Sequence, residues 1–179
     1  MDLIQAIMER RSIRKFKKKP ISREVIENII KTAIWAPSGS NMQAWKFIIV
    51  DEHDQLQKLK LFSPGLLGDP PTVIVISIDL KLAEKKAGKL GVKELAFYDA
   101  ALVGQNISLA ALEYKLGTCL VASFSKIAIQ ELLHLPENIK PYLILTIGYP
   151  ETIPVPPPRK PISEMIFWQK YNKEMNGFE

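Results

Sequence analysis

Residues 152–161 read TIPVPPPRKP, and a chain cannot pass through such a stretch as helix interior or central strand. Each proline fixes φ at about −65° and removes a backbone donor. The run is therefore held extended as polyproline II and leads the chain away from its own core. Beyond it, Met165, Ile166, Trp168 and Tyr171 fall at helical spacing and predict a last helix with an apolar stripe. Two covers for that stripe are open, the same subunit or a partner subunit. After so long a reach the partner costs less, so the tail speaks for a homodimer.

Ahead of the tail the apolar spacing alternates between helical and extended. Leu3, Ile4, Ile7 and Met8 predict one helix; Val25, Ile26, Ile29, Ile30, Ala33 and Ile34 predict a second. Ser22 stands as the N-cap of the second, and Pro37 with Gly39 marks its end. Residues 45–50, 72–78, 118–122 and 142–147 are β-rich. Between the second and third of these, Ala101, Leu102, Gln105, Leu109, Leu112 and Leu116 mark a long helix stopping at Gly117. Helices interleaved with strands give an α+β layered domain, and 179 residues suit one domain over 1–179.

Composition narrows the function. Hydrophobic residues at 47% and charged residues at 24% describe a folding chain. The net charge of +5 favours an anionic cofactor but falls short of the dense basic face of a nucleic-acid binder. No apolar run approaches the ~20 residues of a membrane span. The N-terminal apolar residues precede the basic cluster, the reverse of a signal peptide. Cys119, the single cysteine, excludes an intramolecular disulfide and fits a reducing compartment, so a cytoplasmic location is expected. Between Gly117 and Leu120, Cys119 reads as a core residue rather than a nucleophile. His53 and His134 are the only histidines, too few with one cysteine for a zinc site, and no metal is expected. GxGxxG, GxxxxGK[ST] and GxSxG are absent, so neither a Rossmann site, a P-loop nor a hydrolase elbow is supported.

Two segments carry candidate chemistry. In RRSIRKF an extended backbone sets Arg10, Ser12 and Arg14 on one side, where two guanidiniums and a hydroxyl suit a phosphomonoester. A solvated basic turn fits the same residues, and Lys17, Lys18 and Lys19 belong to it. In APSGSNMQAWKF, Ser38, Ser40, Asn41 and Gln43 surround Gly39 in a loop just before a strand. Their donors and acceptors suit the edge of a flat heterocycle, or equally a turn that bonds its own backbone.

Taken with YDAALVGQNISLAALEYKLGTCLVASF and PPPRKPISEMIFWQKY, these two segments resemble the nitroreductase family in order and over nearly the whole chain. The resemblance implies a central, mostly antiparallel sheet flanked by helices, with a dimer-wrapping C-terminal tail. It also implies FMN as cofactor, NADH or NADPH as transient electron donor, and small oxidised acceptors such as nitroaromatics or quinones. Arg10, Arg11 and Ser12 match positions that hold the FMN phosphate and ribityl chain, and Arg14 matches a basic position at the pyrimidine edge, where it tunes the flavin. Arg159 and Lys160 match the C-terminal contact to the phosphate. Pro37, Ser38, Ser40 and Asn41, with Gly39 and Gln43 beside them, match the loop that a partner subunit contributes. Leu120, Val121, Ala122 and Ser123 match backbone near the flavin N5.

The chain also departs from the family pattern. Where relatives place an Asn and a Lys for the pyrimidine ring it has FSPGLLGDPP, leaving Ser63 as substitute. Residues 79–98, where relatives carry a longer lid, hold five lysines with Gly88 and Gly91 and fit either a mobile, solvated cover or a surface helix whose lysines touch only water. The same fold hosts reductive dehalogenation and oxygen-dependent flavin breakdown. A non-enzymatic flavin-binding redox protein is the reading from another class.

Overall fold

The computed structural model describes residues 2–171, beginning with Asp2, whose carboxylate accepts the Gln5 N–H at 2.8 Å and caps α1 (Leu3–Glu9). Ser22 does the same for α2 (Arg23–Ala33), its Oγ accepting the Val25 N–H at 3.4 Å. There follow β1 (Trp45–Val50), α3 (His53–Leu61), β2 (Thr72–Asp79), α4 (Leu80–Leu90), α5 (Ala96–Glu113), β3 (Gly117–Val121), α6 (Lys126–Leu132) and β4 (Ile139–Gly148). Through β4 this is the alternation that the apolar spacing predicts.

The strands form a sheet in the order β1-β2-β4-β3, with every neighbouring pair antiparallel. In β2, Ile74, Ile76 and Ile78 point to the layer of α2 and α5, while Val73 and Val75 point to that of α3 and α6. A strand covered on both faces has to be apolar at nearly every position, and TVIVISI is. The β2–β4 register slips by one at Ser77, opposite Pro141, a residue with no N–H to give the ladder. The expected layered α+β domain is thereby shown.

Asp79 closes β2 and opens α4, accepting from the Leu82 N–H at 3.2 Å and the Asn138 amide at 2.9 Å. Burial is the largest influence and would raise its pKa, but the Asn138 and Leu82 donors, together with the Lys46 charge and the Lys81 N–H, hold the carboxyl below its ordinary value of 3.8. Asp79→Ala should therefore cost about 1 kcal/mol at neutral pH. For a carboxyl with a lowered folded pKa, the contribution is complete above 3.8 and is lost as pH falls through the folded value. Thermal unfolding of both proteins should show the gap closing at the acid end. A gap independent of pH would contradict the cap.

Three expectations need correction. The long helix ends at Glu113 and not at Gly117; the chain turns at Lys115, with φ +57°, and Leu116 N–H bonds back to the Ala111 carbonyl. Gly117 is instead required because Ile13 lies against it where a Cβ would stand. Of the two readings of residues 79–98, the surface helix is the one found and the loose cover is not. These residues form α4, broken at solvent-facing Gly88 (φ +59°), and a π-helical turn (Gly91–Leu95) that runs into α5, with Ala83 and Gly91 buried. Finally, the tail forms a 3-10 turn (Ile162–Glu164) and no helix through Trp168, where Gln169 is left-handed at φ +58°. Any continuation past Tyr171 lies outside the described residues.

The combined stretch Leu80–Glu113 is long and apolar enough to pass for a membrane span. Its α5 portion is a core helix here, with Ala96, Ala100, Val103, Ile107 and Ala111 buried in the domain.

Candidate functional site

Arg10 ends α1 with φ −53° and ψ 130°, which turns the chain into the extended path that RRSIRKF predicts. Ser12 then bridges Thr118 in parallel, and Ile13 N–H donates to the Thr118 carbonyl at 2.8 Å, covering the outer edge of β3. Ile13 and Phe16 are buried and peg the segment down, which leaves Arg14 exposed and Arg10 half-buried. The ion pairs among the described residues, Lys31 with Glu27 and Lys60 with Asp69, leave both arginines without an acidic partner. Arg11 is committed differently. Its Nη1 donates to the carbonyls of Met8 at 2.6 Å and Arg10 at 2.7 Å, bracing the last turn of α1.

Two glycines that the sequence reading passed over complete this edge. Gly65 N–H donates to the Ser123 carbonyl at 3.1 Å, tying the loop after α3 to the end of β3. Gly68 has φ +76° and rests on the Arg14 carbonyl so closely that a Cβ would collide with it. The backbone position of Arg14 is thereby fixed by a neighbour that must be glycine. The available signal was the pair of glycines in FSPGLLGDPP. Leu120, Ala122 and Ser123 are exposed beside this edge, while Val121 and Cys119 turn inward. Ser63 is fully buried and its Oγ has no hydrogen-bond partner, so it faces the interior and does not stand in for the missing Asn and Lys.

The second cluster lies in the loop before β1. Ser40, Asn41 and Gln43 all hold left-handed φ values of 50°, 50° and 49°, a concentration costing about 1–3 kcal/mol per residue unless the surroundings impose it. Part of the restraint is internal: Ser38 Oγ accepts the Gln43 N–H at 3.1 Å, and the Gln43 amide donates to Asn41 Oδ1. The turn thus bonds its own backbone, as one of the two sequence readings has it, and still presents Pro37, Ser40 and Asn41 outward. The rest of the restraint comes from Asp99 in α5, whose Oδ1 accepts the Gly39 N–H at 3.0 Å. Burial pushes the Asp99 carboxyl up, with the Gly39 N–H pulling weakly the other way. Asp99 too escaped the sequence reading, although its spacing from Ala96, Ala100 and Val103 puts it on the buried face of a helix.

The two clusters sit at opposite edges of the sheet and toward opposite ends of it, since the loop leads into Trp45, level with Ile78, whereas Ser12 bridges Thr118, level with Thr72. β1 and β3 are three strand spacings apart, roughly 14 Å. The tail supplies the remaining candidates. Pro154 and Pro156 line a cleft of about 730 Å³ with Glu9 and Arg11, and Arg159 follows Pro156 by about 9 Å of extended chain. Arg159 and Lys160 are exposed, and Arg159 donates only to the carbonyls of Pro157 and Pro158. Lys17, Lys18 and Lys19 are exposed as expected, with Lys19 over the Tyr149 ring.

Comparison with known proteins places these features in context. A model of the Nitroreductase family matches residues 7–63 and 51–149. A protein of Archaeoglobus fulgidus, provisionally named NADH dehydrogenase/NAD(P)H nitroreductase, is 33% identical over 156 residues, covering 84% of this chain and 86% of its own. FMN reductase (NADPH) of Bacillus subtilis is 28% identical over 194 residues, covering 98% of this chain and 76% of its own. Among solved structures, a nitroreductase family protein of Clostridium difficile superposes with a TM-score of 0.83 at 27% identity, covering 95% of this chain and 99% of that one.

Proposed function

Since the chain belongs to the nitroreductase family, we propose that it is an FMN-dependent oxidoreductase that takes reducing equivalents from NADH or NADPH and delivers them to a small oxidised acceptor. The observation that carries this reading is the edge of β3, where Arg10 and Arg14 stand without acidic partners on an extended, pegged segment. That donor set suits FMN: a terminal phosphate takes Arg10 and the Ser12 hydroxyl, with Arg159 arriving from the tail. The exposed residues Leu120, Ala122 and Ser123 and the Arg14 side chain would be left for the ring.

When bound, FMN supplies the redox chemistry, which needs no protein acid or base. The chain positions and tunes. Arg14, whose backbone is seated by Gly68, would bring a positive charge to the ring and so favour the extra negative charge of the reduced state. The exposed surface at Leu120 would leave room beside the ring for donor and acceptor to bind in turn, as a ping-pong cycle requires.

A homodimer completes the site in this reading. The loop of residues 37–43 is roughly 14 Å of sheet width from the β3 edge of its own chain, so it serves the β3 edge of a second copy. Leu3, Ile4, Ile7 and Met8 on α1 and Phe97, Tyr98 and Leu102 on α5 are exposed apolar side chains that such a copy would cover.

The test is chemical. The purified protein should be yellow, lose its flavin absorbance on adding NADH or NADPH without oxygen, and release on heating a compound with the mass of FMN. FAD, or no flavin after reconstitution, would remove the cofactor assignment. Bound FMN that neither nucleotide reduces would make the chain a flavin carrier instead of an enzyme.

A further inference from the structure

Asp99 is 2% exposed and its Oδ2 has no hydrogen-bond partner, an arrangement that costs folding free energy and that no element of the mechanism above uses. Its other oxygen holds the Gly39 N–H at 3.0 Å, at the head of the loop with three left-handed residues. Asp99 does not act alone there. A Cβ on Gly39 would stand 2.6 Å from Leu95 Cδ1, and a Cβ on Gly91 would stand 3.1 Å from Met42 Sδ. Gly91 and Leu95 are the first and last residues of the π-helical turn, and Asp99 lies one turn further along the same helix. Both ends of the loop therefore rest on one short stretch, at the point where the helix is locally widened.

We propose that the π turn with Asp99 is the seat of the cofactor loop, which makes Asp99 and Leu95 positioning residues for FMN binding. The side chains touch the loop and not the cofactor. Asp99 fixes the direction of the Gly39 peptide, and Leu95 fixes how far the loop sinks toward α5. The left-handed Ser40, Asn41 and Gln43 then keep the shape in which Ser40 and Asn41 face outward. The proposal rests on the reading that this loop meets FMN.

Two kinds of substitution separate seating from bulk stability. Asp99→Asn keeps an acceptor oxygen for Gly39, whereas Asp99→Leu keeps the volume and removes it. Titration of FMN into the folded apoprotein, followed by quenching of flavin fluorescence, should show affinity falling about tenfold or more in Asp99→Leu and by no more than about threefold in Asp99→Asn. Exchange of the Gly39 amide should quicken only in Asp99→Leu. Independently, Gly39→Ala should weaken FMN through the Leu95 collision, and Gly39→Ala with Leu95→Ala should recover most of the loss, because the offending atom is a side-chain tip.

Equal FMN affinity in wild type and folded Asp99→Leu, or equal losses in Asp99→Asn and Asp99→Leu, would overturn the proposal. So would a double variant no better than Gly39→Ala, and this pair decides if Asp99→Leu does not fold. A wild-type chain that takes up no FMN brings down the cofactor reading itself, and the cofactor half of the proposal with it. Gly39 amide exchange then still decides whether Asp99 seats the loop.

Discussion

Replacing Arg10 and Arg159 together by alanine should lower FMN affinity by a hundredfold or more, about 3 kcal/mol, while the protein stays folded. Arg10 is half-buried beside Ser12 with no carboxylate to satisfy, so removing it strips the phosphate of a shielded charge without orphaning an acidic group of the protein. Arg159 sits in the exposed stretch 151–162, where among the described residues it donates to the Pro157 and Pro158 carbonyls, and its loss disturbs no packing. Arg11→Ala supplies the contrast. Its Nη1 is already engaged by the Met8 and Arg10 carbonyls and braces α1, so this substitution should cost about 1 kcal/mol of stability and little FMN affinity. Isothermal titration of FMN into the three apoproteins decides the matter. Unchanged affinity in a folded double variant would refute the phosphate assignment, and a loss from Arg11→Ala as large as from the pair would move the phosphate toward Arg11.

The elements were legible in the sequence wherever one local cause decided them. TVIVISI was legible as a strand and Ser22 as the cap of its own helix, each read correctly from neighbouring residues. What escaped was decided at a distance. Gly117 looked like a helix terminator, yet its requirement is set by Ile13, more than a hundred residues away in sequence. The left-handed run at Ser40, Asn41 and Gln43 was harder to see, because its internal bonds are joined by a restraint from outside the segment, where Asp99 and Leu95 meet Gly39 from α5 and the π turn. The site divides along the same line: Arg10, Ser12 and Arg14 were visible as an alternating pattern in one segment. Gly65, Gly68 and Asp99 act only through partners that the fold brings to them.

A chain ending at Pro158 should sediment as a monomer at micromolar concentration and lose most of its flavin. Among the described residues, none after Tyr149 joins either buried cluster of the domain, and residues 151–162 are exposed throughout. Yet the stretch carries Ile153, Val155, Ile162, Met165 and Trp168, between 54% and 86% exposed, a set that has no reason to be apolar on a free tail. Burying such side chains on a partner contributes roughly 1.5–3 kcal/mol each when complete, so removal of those after Pro158 takes away a large share of what holds two copies together. Once the copies part, each β3 edge keeps Arg10 and Arg14 but no longer faces the other chain's 37–43 loop, and FMN is held from one side. Truncation also deletes Arg159, so Arg159→Ala in the full-length chain is the necessary control: it should weaken FMN but remain a dimer. If the truncated chain remains dimeric with full flavin content, the tail packs on its own subunit. The apolar faces of α1 and α5 would then have to hold the dimer unaided.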